Sequence, residues 1–241
     1  DHYKVCGYGQ RAGARLIMDG ASGIAILGGS FNPVHIGHLR LAIEVYENLK
    51  MARVDLVPAF FPPHKQNQDM LPFDLRVDML KAAVDGIPGL AVNALEGERP
   101  GPSYTWDTLG LYAERNPGVP LYFILSLQDL ATLPFWHNGR EIVNRAFLLV
   151  APRSGEGEAE FRAVVSDIWG GYYAAPPLPG CLAACTVRAL TGGGNIALLK
   201  WEALNISSSA IRLRRRSGAD IHFLVPDAAL RVMNARQPAA K

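Results

Sequence analysis

Two histidines three residues apart, His35 and His38, follow a glycine-rich segment that begins at Gly28. The apolar run Gly23–Leu27 precedes this segment, and apolar residues at helical spacing follow it from Leu39 to Leu49. Both imidazoles can therefore face one side at the start of a helix. Unpaired N–H groups and the positive end of the helix dipole favour a phosphate there. The pattern predicts a strand, a phosphate-binding turn and a helix.

Glycines in the same segment support a ligand site, although other interpretations of the histidine pair stay open. Gly28, Gly29 and Gly37 let a ligand approach the main chain closely. An H-x-x-H pair could instead bind a metal ion, but no adjacent carboxylate completes a ligand set. The two rings could also be structural. The whole string GGSFNPVHIGH is more specific than a glycine-rich turn alone.

The rest of the chain alternates between strand and helix patterns. Such alternation is typical of an α/β fold, a doubly wound (Rossmann-like) parallel sheet with its ligand at the carboxyl ends of the strands. The strand patterns lie at Val54–Val57, Leu90–Leu95, Leu121–Leu125, Ala146–Ala151 and Asn195–Trp201. The helix patterns lie at Asp74–Val84, Tyr104–Arg115, Glu156–Trp169, Ser207–Arg215 and Pro226–Ala235.

Three regions are expected along the chain. Residues 1–21 lack periodicity and are expected to form an N-terminal tail or to be upstream sequence before a natural start at Met18. Residues 22–204 form the core, and within it the stretch 154–194 diverges, with a loop-like second half. Residues 205–241 are expected to form a small helical subdomain that would close over the ligand.

Composition excludes several classes of protein. Of 241 residues 49% are apolar, which is ample for a buried core, and a net charge of +2 argues against a nucleic-acid coat. No apolar run is long enough to span a membrane. Cys6, Cys181 and Cys185 are too few for a disulfide framework and fit a reducing, cytoplasmic location. The basic run Arg212–Arg216 could contact RNA, but its helical spacing leaves part of it as a solvated face.

The histidine segment resembles the nucleotidylyltransferase superfamily, and its GSFNP wording is typical of bacterial nicotinate-nucleotide adenylyltransferases. Further blocks follow in the order of that family over residues 24–153 and again from Ile206 to about Met233. They are Pro62–Lys65 (PPHK), Ser103–Leu109 (SYTWDTL), Leu133–Trp136 (LPFW), Ile206–Arg212 (ISSSAIR) and Leu224–Pro226 (LVP).

The resemblance implies transfer of the adenylyl group of ATP to nicotinate mononucleotide, giving deamido-NAD and pyrophosphate. It implies catalytic roles for His35, His38, Lys65 and Arg212. Mg²⁺ would be held mainly by the substrate phosphates, so no metal-binding residues are assigned. The residues implied to bind ATP are Gly28, Gly29, Ser30, Phe31, Asn32, Gly37, Ser207, Ser208 and Ile211.

A second set of residues is implied to bind the mononucleotide. Tyr104 and Thr105 match the family's carboxylate-binding turn, Trp136 matches a ring-stacking aromatic residue, and Arg153 matches an arginine near the phosphate. His64 would lie near the same substrate. Each has a structural alternative, namely packing for Trp136, a solvated strand end for Arg153 and a loop position for His64.

One element departs from the family pattern. Where the family has G-x-D after the fourth strand, this chain has Ser126 and Gln128, with Asp129 one position late. Alternatives are therefore an adenylyltransferase for nicotinamide mononucleotide or phosphopantetheine, or a nucleotide-binding regulator with weak turnover.

The expected partners are ATP and nicotinate mononucleotide, with no membrane or nucleic acid, and a homo-oligomer is possible.

Overall fold

The computed structural model describes residues 23–62, 69–175, 185–201 and 203–237. In these ranges one sheet contains eight strands. They are β1 (Ile24–Gly29), β2 (Arg53–Pro58), β3 (Leu90–Val92), β4 (Leu121–Ser126), β5 (Phe147–Ala151), β6 (Tyr172–Ala174), β7 (Cys185–Leu190) and β8 (Asn195–Leu199). Their order across the sheet is β3-β2-β1-β4-β5-β8-β7-β6.

Seven α-helices connect or flank these strands in the described ranges. They are α1 (Ile36–Asn48), α2 (Phe73–Val84), α3 (Thr105–Arg115), α4 (Leu127–Thr132), α5 (Glu158–Trp169), α6 (Ser208–Arg216) and α7 (Asp227–Arg236). Short 3₁₀ turns occupy Leu95–Glu98, Leu133–Phe135 and Gly139–Asn144.

The six strands from β3 to β8 in sheet order are parallel, which confirms the predicted doubly wound sheet. Alternate residues of each central strand enter separate cores on the two faces. In β1, Ala25 and Leu27 pack into one core and Ile24 and Ile26 into the other. Burial on both faces explains why these strands read as continuous apolar runs. All six carboxyl ends lie along one edge, where the candidate site is built.

Several local predictions need correction. The strand predicted over Leu90–Leu95 ends at Val92, and a 3₁₀ turn follows. The loop-like half of 154–194 contains the antiparallel strands β6 and β7 instead. In β7 the buried residues Cys185 and Val187 alternate with more exposed ones, the period of a strand covered on one face. The short helix α4 was not predicted.

The C-terminal helices pack on the same core as the sheet. Ile211 of α6 and Met233 of α7 belong to the core cluster that also contains residues of β1. Arg236 at the end of α7 forms ion pairs with Asp74 and Asp78 of α2. This packing fixes the start of α6 beside the carboxyl edge of the sheet.

Some sequence predictions lie outside the described residues. These are the N-terminal tail, the start at Met18, Cys6, Cys181, His64 and Lys65. Among the described residues Cys185 is buried. No described helix has both the length and the apolar character required to cross a membrane.

A buried hydrogen bond away from the candidate site predicts a measurable stability loss. The Tyr112 hydroxyl of α3 donates to Oδ2 of buried Asp55 in β2 at 2.9 Å. Burial, and then the Asp55 charge, raise the pKa of Tyr112. We expect Tyr112→Phe to lower the free energy of unfolding by about 1–3 kcal/mol, because Asp55 loses a buried donor. Urea denaturation measures this, with Tyr46→Phe as the control, and equal stability of the two variants would contradict it.

Candidate active site

The two motif histidines meet at the start of α1. His35 precedes the helix, and its main-chain N–H donates to Nδ1 of His38 at 3.2 Å. The imidazole rings stack with centroids 3.6 Å apart and planes 20° from parallel. The Phe31 ring meets the His38 ring edge-on at 4.8 Å. Because Nδ1 of His38 accepts a hydrogen bond, the ring proton of neutral His38 lies on Nε2.

Gly37 packs closely against the His35 ring. A Cβ atom at position 37 would lie 3.0 Å from Nδ1 and 3.1 Å from Cε1 of His35. The His35 ring would have to shift by a few tenths of an ångström to admit a side chain there. Gly28 is exposed and Gly29 is half-buried at the end of β1, so both leave the main chain accessible.

Burial keeps the His35 ring neutral. The residue is 5% exposed, and its Nδ1 atom has no hydrogen-bond partner among the described residues. Burial, and then the positive charge of Arg153, lower the pKa of His35 to about 4. At pH 7 His35 is therefore a neutral imidazole whose environment already contains a cation.

The C-terminal block joins the histidine segment directly. Arg212 Nη1 donates to the Asn32 carbonyl at 2.7 Å, and Ser208 Oγ donates to the Pro33 carbonyl at 2.9 Å. Ser207 caps α6 by accepting from the Ala210 N–H at 3.2 Å. The structure thus brings together two sequence blocks that are far apart in the chain. The helix N-terminus and guanidinium supply positive potential beside the histidines.

Asn32 and Ile211, which are implied to bind ATP, also make structural contacts with their side chains. The Asn32 amide donates to the Asp69 carbonyl at 3.1 Å and accepts from the Leu71 N–H at 3.0 Å. The Ile211 side chain is buried in the core beneath α6. Asn32 therefore fixes the histidine segment against the residues before α2, and Ile211 anchors α6.

The aromatic residues of the second set lie near one another. Tyr104 precedes α3, and its ring stacks on His137 with centroids 4.5 Å apart. Trp136 is half-buried against the core, and its Nε1–H donates to Thr132 Oγ1 at 3.2 Å. Thr105 begins α3, where unpaired helix N–H groups favour an anion. His137 was not predicted, although it directly follows the aromatic residue of the LPFW block.

The departure from the G-x-D pattern has a structural consequence. Ser126 caps α4, since its Oγ accepts from the Asp129 N–H at 3.0 Å, and the Asp129 carboxylate accepts from the Ser126 hydroxyl at 2.7 Å. Gln128 accepts from Arg153 Nη1 at 3.2 Å. Arg153, exposed just beyond β5, is thus held by a neutral side chain and lies close enough to His35 to lower its pKa.

The basic run of α6 is engaged within the chain. Arg214 donates to the Asp220 carbonyl at 3.0 Å, Arg215 donates to the Gln237 carbonyl, and Arg216 pairs with Asp69.

Among the described residues no group of three or more His, Cys, Asp or Glu side chains is arranged to hold a metal ion. Buried Arg76, Glu96 and Thr108 lie under the site loops and were also not predicted.

A parallel sheet with a helix N-terminus, two histidines and an arginine at its switch point is typical of a nucleotide-binding α/β enzyme. Residues 26–214 match the family model described as cytidylyltransferase-like. A relative from Geobacter metallireducens, named probable nicotinate-nucleotide adenylyltransferase, is 36% identical over 203 residues, which are 84% of this chain and 91% of that one. A relative of the same name from Pseudomonas fluorescens is 36% identical over 214 residues, 88% and 94% of the two chains.

A solved structure has the same fold. It is Plasmodium falciparum nicotinic acid mononucleotide adenylyltransferase complexed with NaAD, with a TM-score of 0.66 and 16% identity. The match covers 89% of this chain and 96% of that chain. The chain therefore belongs to the cytidylyltransferase-like family and, within it, to the nicotinate-nucleotide adenylyltransferases.

The lowered pKa of His35 predicts a pH-dependent stability. Between about pH 6.5 and pH 4 the unfolded chain binds a proton at this residue that the folded chain excludes. The free energy of unfolding is therefore unaffected by the titration of this residue above pH 6.5. It falls as the pH is lowered toward 4, by up to about 3 kcal/mol, because protonation of His35 favours the unfolded chain. We expect His35→Gln to flatten the fall in unfolding free energy between pH 7 and pH 4, measured by urea denaturation. The exposed His137→Gln variant is the control, and an unchanged slope in His35→Gln would contradict the prediction.

Proposed function

We propose that the chain transfers the adenylyl group of ATP to nicotinate mononucleotide, giving deamido-NAD and pyrophosphate. The observation that carries this proposal is the meeting of His35, His38 and Arg212 at the N-terminus of α1. Relatives that align over most of both chains carry the corresponding name. A phosphate oxygen of the mononucleotide would attack the α-phosphorus of ATP, and the bond to the bridging oxygen would break to release pyrophosphate.

Positioning and charge do most of the work in such a reaction. His38 can donate Nε2–H to a phosphate oxygen, and neutral His35 can donate or accept without an ion pair. Arg212 would contact the β- and γ-phosphates together with the start of α6, and Lys65 would add a second cation. Mg²⁺ would neutralise charge on the phosphates, and its ligands would be mainly phosphate and water oxygens.

The mononucleotide would bind on the α3 side of the site. The Thr105 N–H at the start of α3 would receive the pyridine carboxylate. The Tyr104 N–H donates to the Pro102 carbonyl at 3.2 Å and would have to exchange that partner to take part. Trp136 would stack on the ring, and Arg153 would attract the phosphate. His64 would lie near the same substrate.

A cytoplasmic location and a homo-oligomeric state remain predictions.

Pyrophosphate release with ATP and Mg²⁺ tests this function. We expect rapid release with nicotinate mononucleotide and slow release with nicotinamide mononucleotide or phosphopantetheine. His38→Ala should lower the rate by about 100-fold or more, because it removes a donor to the transferring phosphoryl group. Release only with the amide would overturn the carboxylate site. No release with any acceptor, while ATP still binds, would favour the regulator.

A regulator with weak turnover is a second candidate because Ser126 and Gln128 replace the family Gly and Asp. We expect the double variant Ser126→Gly/Gln128→Asp to gain no turnover. The carboxylate introduced at position 128 would pair with Arg153 and weaken its attraction for a substrate phosphate. The KM for the mononucleotide should therefore rise by about tenfold, a loss of one charge-assisted contact.

Gln128→Ala is the matched control for this test, because it removes the hydrogen bond to Arg153 without adding a charge. We expect a smaller rise in KM for that variant. Steady-state kinetics with each substrate varied separately provide the measurement. A gain of about tenfold or more in turnover on restoring Gly and Asp would support the regulator instead.

A further inference from the structure

A buried arginine lies directly beneath the loops of the candidate site. Arg76 on α2 is 1% exposed. Its Nη1 donates to the Ser30 carbonyl at 2.7 Å and to the Ala59 carbonyl at 2.8 Å. Its Nε donates to the Leu71 carbonyl at 3.0 Å. One guanidinium thus ties the loop after β1 to both ends of the connection between β2 and α2.

A buried carboxylate completes the arrangement from the other side. Glu96, 7% exposed, accepts from the Phe60 N–H at 3.3 Å through Oε2. Through Oε1 it accepts from the Thr108 hydroxyl at 2.6 Å. Thr108 lies in the SYTWDTL block at the start of α3, next to the residues proposed to bind the pyridine carboxylate.

Arg76 and Glu96 hold opposite ends of the same peptide group. The peptide that joins Ala59 to Phe60 has its carbonyl bound by Arg76 and its N–H bound by Glu96. We call the three side chains Arg76, Glu96 and Thr108 the buried clamp. Through this peptide the clamp runs without interruption from the loop after β1 to the start of α3.

Burying the charged side chains of the clamp costs free energy that a purely structural element could avoid. Burial lowers the pKa of Arg76 to about 10, which leaves it cationic at pH 7. A buried charge is tolerated only when its hydrogen bonds are made, and an apolar side chain of similar volume would fill the space without this cost. The peptide that Arg76 holds at Ser30 leads into Phe31, which has a φ of 45°. Such a conformation persists in a bulky residue only where its surroundings impose it.

We propose that the buried clamp sets the position of the ATP side of the site relative to the mononucleotide side. This inference rests on the proposed function. Arg76, Glu96 and Thr108 are positioning residues, because they touch main-chain groups of the loops and not the reacting atoms. In-line attack requires the two substrates to be held within a fraction of an ångström, so a loosened clamp slows transfer more than it weakens either substrate's binding.

The test compares clamp variants with a variant that loses a buried hydrogen bond elsewhere. Thr108→Val is nearly isosteric and removes only the hydroxyl, Thr108→Ser retains it, and Arg76→Met replaces the cation. Tyr112→Phe is the control for a stability loss that does not involve the clamp. At a temperature where all variants are folded, we expect Thr108→Val and Arg76→Met to lower kcat by about tenfold or more, with each KM changed by less than about threefold.

Two further results are expected if the clamp acts as one unit. Thr108→Ser should restore kcat to within about threefold of the parent chain. The double variant Arg76→Met/Thr108→Val should lose little more kcat than the worse single variant, because either change breaks the same connection. A kcat loss no larger than that of Tyr112→Phe, or fully additive losses, would overturn the proposal.

A second readout does not depend on turnover. Hydrogen–deuterium exchange of segments 28–34 and 57–62 reports the two loops that the clamp joins. We expect Thr108→Val to increase exchange in both segments, although only 57–62 lies next to the substitution. Faster exchange confined to 57–62 would overturn the proposal. If the parent chain formed no product with any acceptor, the proposed function would fail, and this exchange pattern would still decide for or against the clamp.

Discussion

The hydrogen bond from the His35 main-chain N–H to Nδ1 of His38 is the constraint on which the site depends. It consumes one of the N–H groups that a helix start leaves unpaired, and it holds the two rings in a stack. The ring of His38 is thereby oriented with its donor on Nε2. The remaining contacts of the region, from Gly37, Phe31 and α6, keep that short segment in place.

The parallel sheet supplies the second requirement, which is that distant segments end at one edge. β1 lies between β2 and β4 in the sheet. The chain runs from β1 to β2 on one side of β1 and later continues from β4 to β5 on the other side. A crevice is therefore expected between the connections that follow β1 and β4. Arg153 after β5 and Arg212 on α6 both reach the histidine segment, although each is more than 100 residues away from it along the chain. The order of the strands in the sheet brings these two guanidinium groups to the site, and no short-range sequence pattern predicts that position.

Short-range features of the site could be predicted because their causes are local. The strand, the turn and the helix around His35 follow from apolar spacing and glycine content, and the cap of α6 follows from Ser207. The hydrogen bonds of Ser208 and Arg212 to the carbonyls of Pro33 and Asn32 could not be predicted this way, because they join residues far apart in the chain. Only the resemblance to a known family placed these blocks in one site.

Arg76 shows where a sequence signal was present but incomplete. It shares the helical spacing of Met79, Leu80 and Ala83, which marks it as facing the core. A charged residue on an apolar face must find partners, but its partners are three carbonyls in the connections that follow β1 and β2, which no periodicity reveals. The strands β6 and β7 were missed for a related reason. They belong to an antiparallel edge, where one-sided burial gives a weaker pattern than the continuous runs of the central strands.

Gln128 stands where the family resemblance implies an aspartate, and its side chain contacts Arg153 of the candidate site. An aspartate there would face the Arg153 guanidinium and neutralise it, whereas Gln128 holds the same group through one neutral hydrogen bond. The Glu156 carboxylate accepts from the Arg153 main-chain N–H at 2.8 Å. The positive charge of Arg153 nevertheless adds to burial in lowering the pKa of His35. A neutral His35 near a cationic arginine suits the proposed binding of phosphates, because the cation would supply charge and the imidazole would supply directional hydrogen bonding. Gln128 therefore holds Arg153 without adding a negative charge at the carboxyl edge of the sheet.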